Sequence, residues 1–140
     1  MTITNKNAAA KTVGLHHITI QTRDWEASLR LYRDVLGMEV VTEFGPQERR
    51  LTLLDVGDGS HIELIAPTSD SPAAGSATPN DPLVHLALAS ADAAASLELA
   101  RQAGYEVTME PKDVILGDLE ATVAFFKGPN GEVVEFFQTR

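Results

Sequence analysis

The 140-residue chain has no cysteine. That excludes disulfides, thiolate metal sites and a cysteine nucleophile together, and it fits a reducing, cytoplasmic setting. Positive charge is also scarce, with 11 Lys and Arg against 20 Asp and Glu, a net charge of -9 and a pI near 4.8. Such a balance speaks against a nucleic-acid partner and against an anionic membrane surface. No apolar run approaches the roughly 20 residues that a membrane span requires. Residues 1–11, MTITNKNAAAK, lack the apolar stretch of a signal peptide and read as a flexible N-terminal tail.

What is present is ordinary for one globular domain, 44% hydrophobic and 22% charged residues. Val13 to Gln21 alternates as a strand, with His17, Thr19 and Gln21 on one face. Asp24 stands where a helix cap belongs, Trp25 to Leu36 carries Leu29, Tyr32, Val35 and Leu36 at helical spacing, and Gly37 ends the run. Met38 to Thr42, Arg50 to Val56 and His61 to Ile65 read as three further strands. Residues 67–82, PTSDSPAAGSATPNDP, have no apolar period and form a linker. Beyond it the same order returns: a strand at Leu83 to Ala89, a helix at Ala93 to Ala103 capped by Asp92 and presenting Leu97, Leu99 and Ala100 to the core, then strands at Tyr105 to Met109, Ala121 to Phe126 and Val133 to Gln138. The last strand is entered through the turn Gly128-Pro129-Asn130-Gly131.

The spacings match between the halves. Seven positions separate His17 from Asp24 and His85 from Asp92, and four separate Gly59 from Glu63 and Gly131 from Glu135. An internal duplication accounts for this. The expected fold is α+β: two tandem βαβββ modules, residues 12–66 and 83–140, forming a curled eight-stranded mixed sheet, an open barrel, with the helices outside. Each module has a histidine on its first strand and a glutamate on its last. Imidazole and carboxylate together suit Ni, Zn, Co, Mn or Fe as a divalent ion, so His17, Glu63, His85 and Glu135 form the candidate metal set. A carboxylate within the apolar strand around Glu135 needs either solvent or a cation.

The segments LHHITI, LYRDVLGM, HIELIAP, VHLAL and FFKGPNGEVVEFF resemble those of the vicinal oxygen chelate superfamily, which includes glyoxalase I, bleomycin-resistance proteins, methylmalonyl-CoA epimerase and extradiol dioxygenases. The resemblance runs from about Val13 onward and is nearest to glyoxalase I-like members. It implies that His17 rather than His16, with Glu63, His85 and Glu135, holds a divalent metal. It further implies a lyase or isomerase that abstracts a proton beside the carbonyl of a small alpha-oxygenated substrate, with Glu135, then Glu63, as base. Glutathione-dependent relatives have an Arg and an Asn where this chain has Gln21 and Pro67, so strict glutathione dependence is not implied. Alternation along the strands adds Thr19, Gln21, His61, Ala87 and Phe137 as pocket residues. The alternatives are a ring-cleaving dioxygenase, which the carboxylate at Glu63 disfavours, an epimerase-like isomerase, and a metal-free antibiotic-binding module, which the intact set of four disfavours. A homodimer is expected, and whether the four ligands meet within one chain or across two stays open.

Overall fold

A computed structural model describes residues 15–46, 50–67 and 85–140. The expected N-terminal tail lies outside the described residues, and so does the linker apart from Pro67.

Each half of the chain builds one layer of strands backed by one helix. The first contains β1 (His17–Gln21), α1 (Trp25–Leu29) with a wider-wound continuation (Arg30–Val35), β2 (Glu39–Phe44), β3 (Leu51–Asp55) and β4 (His61–Ile65). The second contains β5 (Leu86–Ala89), α2 (Ala93–Gln102), β6 (Glu106–Leu116), β7 (Leu119–Lys127) and β8 (Val133–Thr139). The two Asp residues cap their helices as expected: Asp24 Oδ1 accepts the Ala27 N–H at 3.1 Å, and Asp92 Oδ1 accepts the Ala95 N–H at 3.0 Å. Gly37 and Gly104 end the helical runs at φ 77° and 95°, a conformation open to glycine and strained for other residues.

The eight strands divide into two four-stranded sheets, ordered β1-β4-β3-β2 and β5-β8-β7-β6. They form two sheets where the sequence suggests one curled sheet. In both, the first and last strands of the module run parallel side by side and the remaining pairs are antiparallel. β6 extends seven residues beyond the expected end at Met109. It takes in Pro111 through a register shift between Met109 and Lys112, which an edge strand tolerates because one side has no ladder to complete.

The sheets bury the faces that point toward the helices. Ile62, Leu64, Leu54, Phe126, Val134 and Phe136 of the strands join Leu29, Leu31, Tyr32, Leu97 and Ala100 of the helices in a single core spanning both modules. Phe126 and Phe136 stack with ring centroids 5.4 Å apart. Trp25 is buried, as its position at the head of α1 suggests, with the Arg50 guanidinium 4.9 Å above its ring. Leu99 departs from expectation: its partners Leu97 and Ala100 are buried, but Leu99 itself is 48% exposed. The helix periodicity is right, but nothing among the described residues covers that part of α2.

α1 is bonded across the module boundary. The Asn130 carboxamide oxygen accepts the N–H groups of Arg23 (2.6 Å) and Asp24 (3.2 Å), and its nitrogen donates to Ser28 Oγ and Glu132 Oε2, both at 2.9 Å. Tyr32 donates its hydroxyl to the same Glu132 oxygen at 3.0 Å. Between Ser28 and Tyr32, Arg30 reaches the Tyr105 hydroxyl and the Ala103 carbonyl, each at 3.1 Å. Burial first, then the Glu132 charge, holds the Tyr32 phenol well above its ordinary range.

Candidate metal centre

Period-two alternation along paired strands decides which side chains share a face. In the first module His17 pairs with His61 and Thr19 with Glu63 across the parallel β1-β4 ladder. In the second, Ala87 pairs with Glu135 across β5-β8, and Phe125 lies on the other side of Glu135 across β7-β8. All these residues are on the sheet faces turned away from the helices, because Ile62, Leu64, Val134 and Phe136 between them point into the core. The two ladders are built alike, so each module presents one imidazole and one carboxylate from neighbouring parallel strands.

The second pair is in contact. Glu135 is 7% exposed, and its Oε1 lies 3.6 Å from His85 Nε2. His85 also packs edge-on against Phe125, with ring centroids 5.6 Å apart. The buried carboxylate has an imidazole beside it and an aromatic ladder partner in Phe125.

The first pair is more open. Glu63 Oε1 accepts a hydrogen bond from Thr19 Oγ1 at 3.2 Å. His17 Nδ1 lies 2.7 Å from Nδ1 of His16, whose ring is also 4.9 Å from that of His61. Strand alternation alone sends His16 to the opposite face. It precedes the first residue of β1, so its ring is free to turn toward the other two.

Two pocket residues are held by the backbone. Gln21 donates its amide to the Ala66 carbonyl at 2.9 Å, and His61 Nδ1 lies 3.1 Å from the His16 carbonyl. Phe137 pairs with Ala89 and with Val123, extending the apolar wall beside Glu135.

Among the described residues, all four expected ligands included, no three of His, Asp or Glu gather closely enough to hold one ion. One chain therefore brings His85 to Glu135 and sets His17 on the strand beside Glu63, but it does not join the two pairs. The donor chemistry of these residues fits a divalent ion, and each module carries one imidazole and one carboxylate.

The sequence does not show the roles of Asn130 and Glu132; it places Tyr32 on the apolar face of its helix, where it is buried, but not its bond to Glu132. Asn130 reads there as a turn former only. Its place beside Gly131 explains the turn, whereas its burial, at 4% exposure, reflects the helix of the other module. Repeat spacing matches Asn130 with Asp58 and Ser28 with Ser96, but it does not show that Asn130 and Ser28 meet.

Solved structures share the fold. A glyoxalase/dioxygenase from Nostoc punctiforme superposes with a TM-score of 0.75 at 18% identity, covering 99% of each chain. A glyoxalase I variant from Zea mays gives 0.71 at 20% identity over 88% of this chain and 43% of that one. The antibiotic-binding protein TnmS3 from a Streptomyces species gives 0.69 at 19% identity over 93% and 98%. No curated relative matches the chain at significant similarity. The family model described as the Glyoxalase/Bleomycin resistance protein/Dioxygenase superfamily matches residues 14–136, nearly the whole length. With two repeated βαβββ modules and a match of that extent, the chain belongs to the glyoxalase/bleomycin resistance/dioxygenase superfamily.

Proposed function

We propose that the protein is a metal-dependent lyase or isomerase of glyoxalase type whose site is shared between two copies of the chain. His17 and Glu63 of one copy would hold the ion together with His85 and Glu135 of the other. The observation that carries this reading is the matched pair of half-sets, one imidazole and one carboxylate on equivalent parallel strands of each module, in a chain that does not unite them. A divalent ion, when bound, supplies positive charge beside the carbonyl oxygen on which negative charge develops.

The chain's own residues do the rest. Glu135 takes the proton from the hydroxyl-bearing carbon next to the carbonyl and delivers it to the former carbonyl carbon, while the hydroxyl proton passes to the former carbonyl oxygen. Phe125 and Phe137 keep water from that carboxylate, and the Thr19 hydroxyl fixes the rotamer of Glu63. The substrate class is a small alpha-oxygenated carbonyl compound.

The test mixes two inactive chains. One has His17→Ala with Glu63→Gln, and the other has His85→Ala with Glu135→Gln. Each alone should take up no metal. Equal mixing, unfolding and refolding puts half of the dimers in the mixed form, each with one complete site, so metal uptake and turnover should return to about one quarter of the unmutated level. No recovery on mixing, from variants that fold, would overturn the shared site. Substrate binding that survives a chelator would point instead to a metal-free binding module.

A further inference from the structure

The repeat gives this molecule two equivalent inter-module positions, and among the described residues one of them is closed and the other is not. Thr22, Asp24 and Ser28 at the head of α1 recur as Ser90, Asp92 and Ser96 at the head of α2, and Leu31 recurs as Leu99. The turn bearing Asn130 has its counterpart in the turn bearing Asp58, closed by equivalent backbone bonds, Gly128 N–H to Glu132 O and Val56 N–H to Ser60 O.

On the α1 side Asn130 fills the junction. Its carbonyl oxygen takes two backbone N–H groups, and Thr22, Ser28 and Leu31 are fully buried. On the α2 side Asp58 stays exposed, bonded through Oδ1 to the N–H and hydroxyl of Ser60. Glu98, the counterpart of Arg30, pairs with Arg101 of its own helix. A cleft of about 320 Å³ remains there between the modules, lined by Leu36, Met38 and Val56 on one side and by Ser96, Leu99 and Phe136 on the other.

We propose that this cleft is a second binding site, separate from the metal-ligand faces, for a small apolar molecule carrying a neutral carboxamide. The closed junction shows what completes it. Asn130 Oδ1 accepts the Arg23 N–H, whereas the corresponding Ala91 N–H has no acceptor among the described residues. Asn130 Nδ2 donates to Ser28 Oγ. Among the described residues the corresponding Ser96 Oγ bonds Ser90 Oγ, at 2.8 Å. A ligand amide therefore finds a donor and an acceptor at the positions that the repeat makes equivalent to those Asn130 uses, and the apolar body covers Leu99 and Phe136.

A carboxylate fits less well, because the Asp92 carboxylate stands at the same helix head and the chain is acidic overall. The volume is at the lower end of the usual range for small-molecule sites. The cleft lies on the helix side of the strands, since Phe136 points opposite to Glu135.

The full chain, labelled with nitrogen-15, is titrated with benzamide, benzoate and toluene at fixed protein concentration while the amide resonances are followed. Benzamide should shift Ala91, Ser96 and Leu99 saturably, and benzoate and toluene should bind more weakly. Ser96→Ala should weaken benzamide by about three- to tenfold, the loss of one hydrogen bond, with an unchanged unfolding midpoint. Leu99→Trp should fill the cleft and abolish the shifts. Toluene binding as tightly as benzamide, an unaltered affinity in Ser96→Ala, or the absence of saturation would each overturn the proposal.

Discussion

Replacing Asn130 by Ala removes the group that joins the second module's hairpin to the head of α1. Two N–H groups, of Arg23 and Asp24, lose their acceptor, and Ser28 Oγ and Glu132 Oε2 each lose a donor. Asn130 is 4% exposed, so water reaches the vacated space only after the surroundings relax. With each stranded buried group costing about 1–3 kcal/mol and part of that recovered by hydration, the expected loss is about 2–4 kcal/mol. That is a large share of the ~5–15 kcal/mol by which domains are stable.

The internal control is Asp58→Ala at the matching turn position, where only Ser60 is bonded. It should cost less than ~1 kcal/mol, as exposed substitutions usually do. Urea unfolding followed by circular dichroism, at one protein concentration for all variants, measures both midpoints. Equal slopes are expected, with the large midpoint shift confined to Asn130→Ala. Equal shifts in the two variants would refute it, because the turn chemistry alone would then account for Asn130.

Two further outcomes follow from buried groups. Tyr32→Phe should cost about 1–2 kcal/mol at neutral pH, because Glu132 loses a donor. The folded chain holds the Tyr32 phenol above its ordinary value of about 10, so the unfolded chain ionises first. Stability is therefore intact below pH ~10 and falls above it, and a melting series from pH 8 to 11 should show a shallower alkaline decline in Tyr32→Phe. Glu135→Met should abolish turnover yet raise the unfolding free energy of metal-free protein by about 1 kcal/mol, read as a higher urea midpoint, since it replaces a desolvated carboxylate beside Phe125 and Ala87. A lowered midpoint would mean that His85 already compensates Glu135 without metal.

The elements and their repetition are legible in the sequence because each depends on local chemistry. Asp24 and Asp92 cap, Gly37 and Gly104 stop, and the alternation around Glu63 and Glu135 fixes which side chains share a sheet face. These signals extend over a few residues and act within one module. What lies beyond them is the relation between modules. β6 runs through Pro111 because it is an edge, which is a property of the sheet and not of the segment. The burial of Asn130 depends on Ser28, which is distant in the chain, and no period in either segment records the meeting.

Leu31 and Leu99 state the same point most sharply. They are the same residue at the same place in the repeat, one fully buried and the other 48% exposed. Leu31 stands in the wider-wound stretch Arg30–Val35 and Leu99 in a regular α-helix, and what packs against each helix differs as well. α1 receives Asn130 and reaches Tyr105, whereas α2 faces the cleft. Duplicated halves bonded, among the described residues, at one of two equivalent junctions need not bring equivalent sheet faces together within a chain. That is consistent with a repeat that carries His17 with Glu63 and His85 with Glu135 on matched ladders yet leaves the two pairs apart, which is the arrangement the proposed shared site requires.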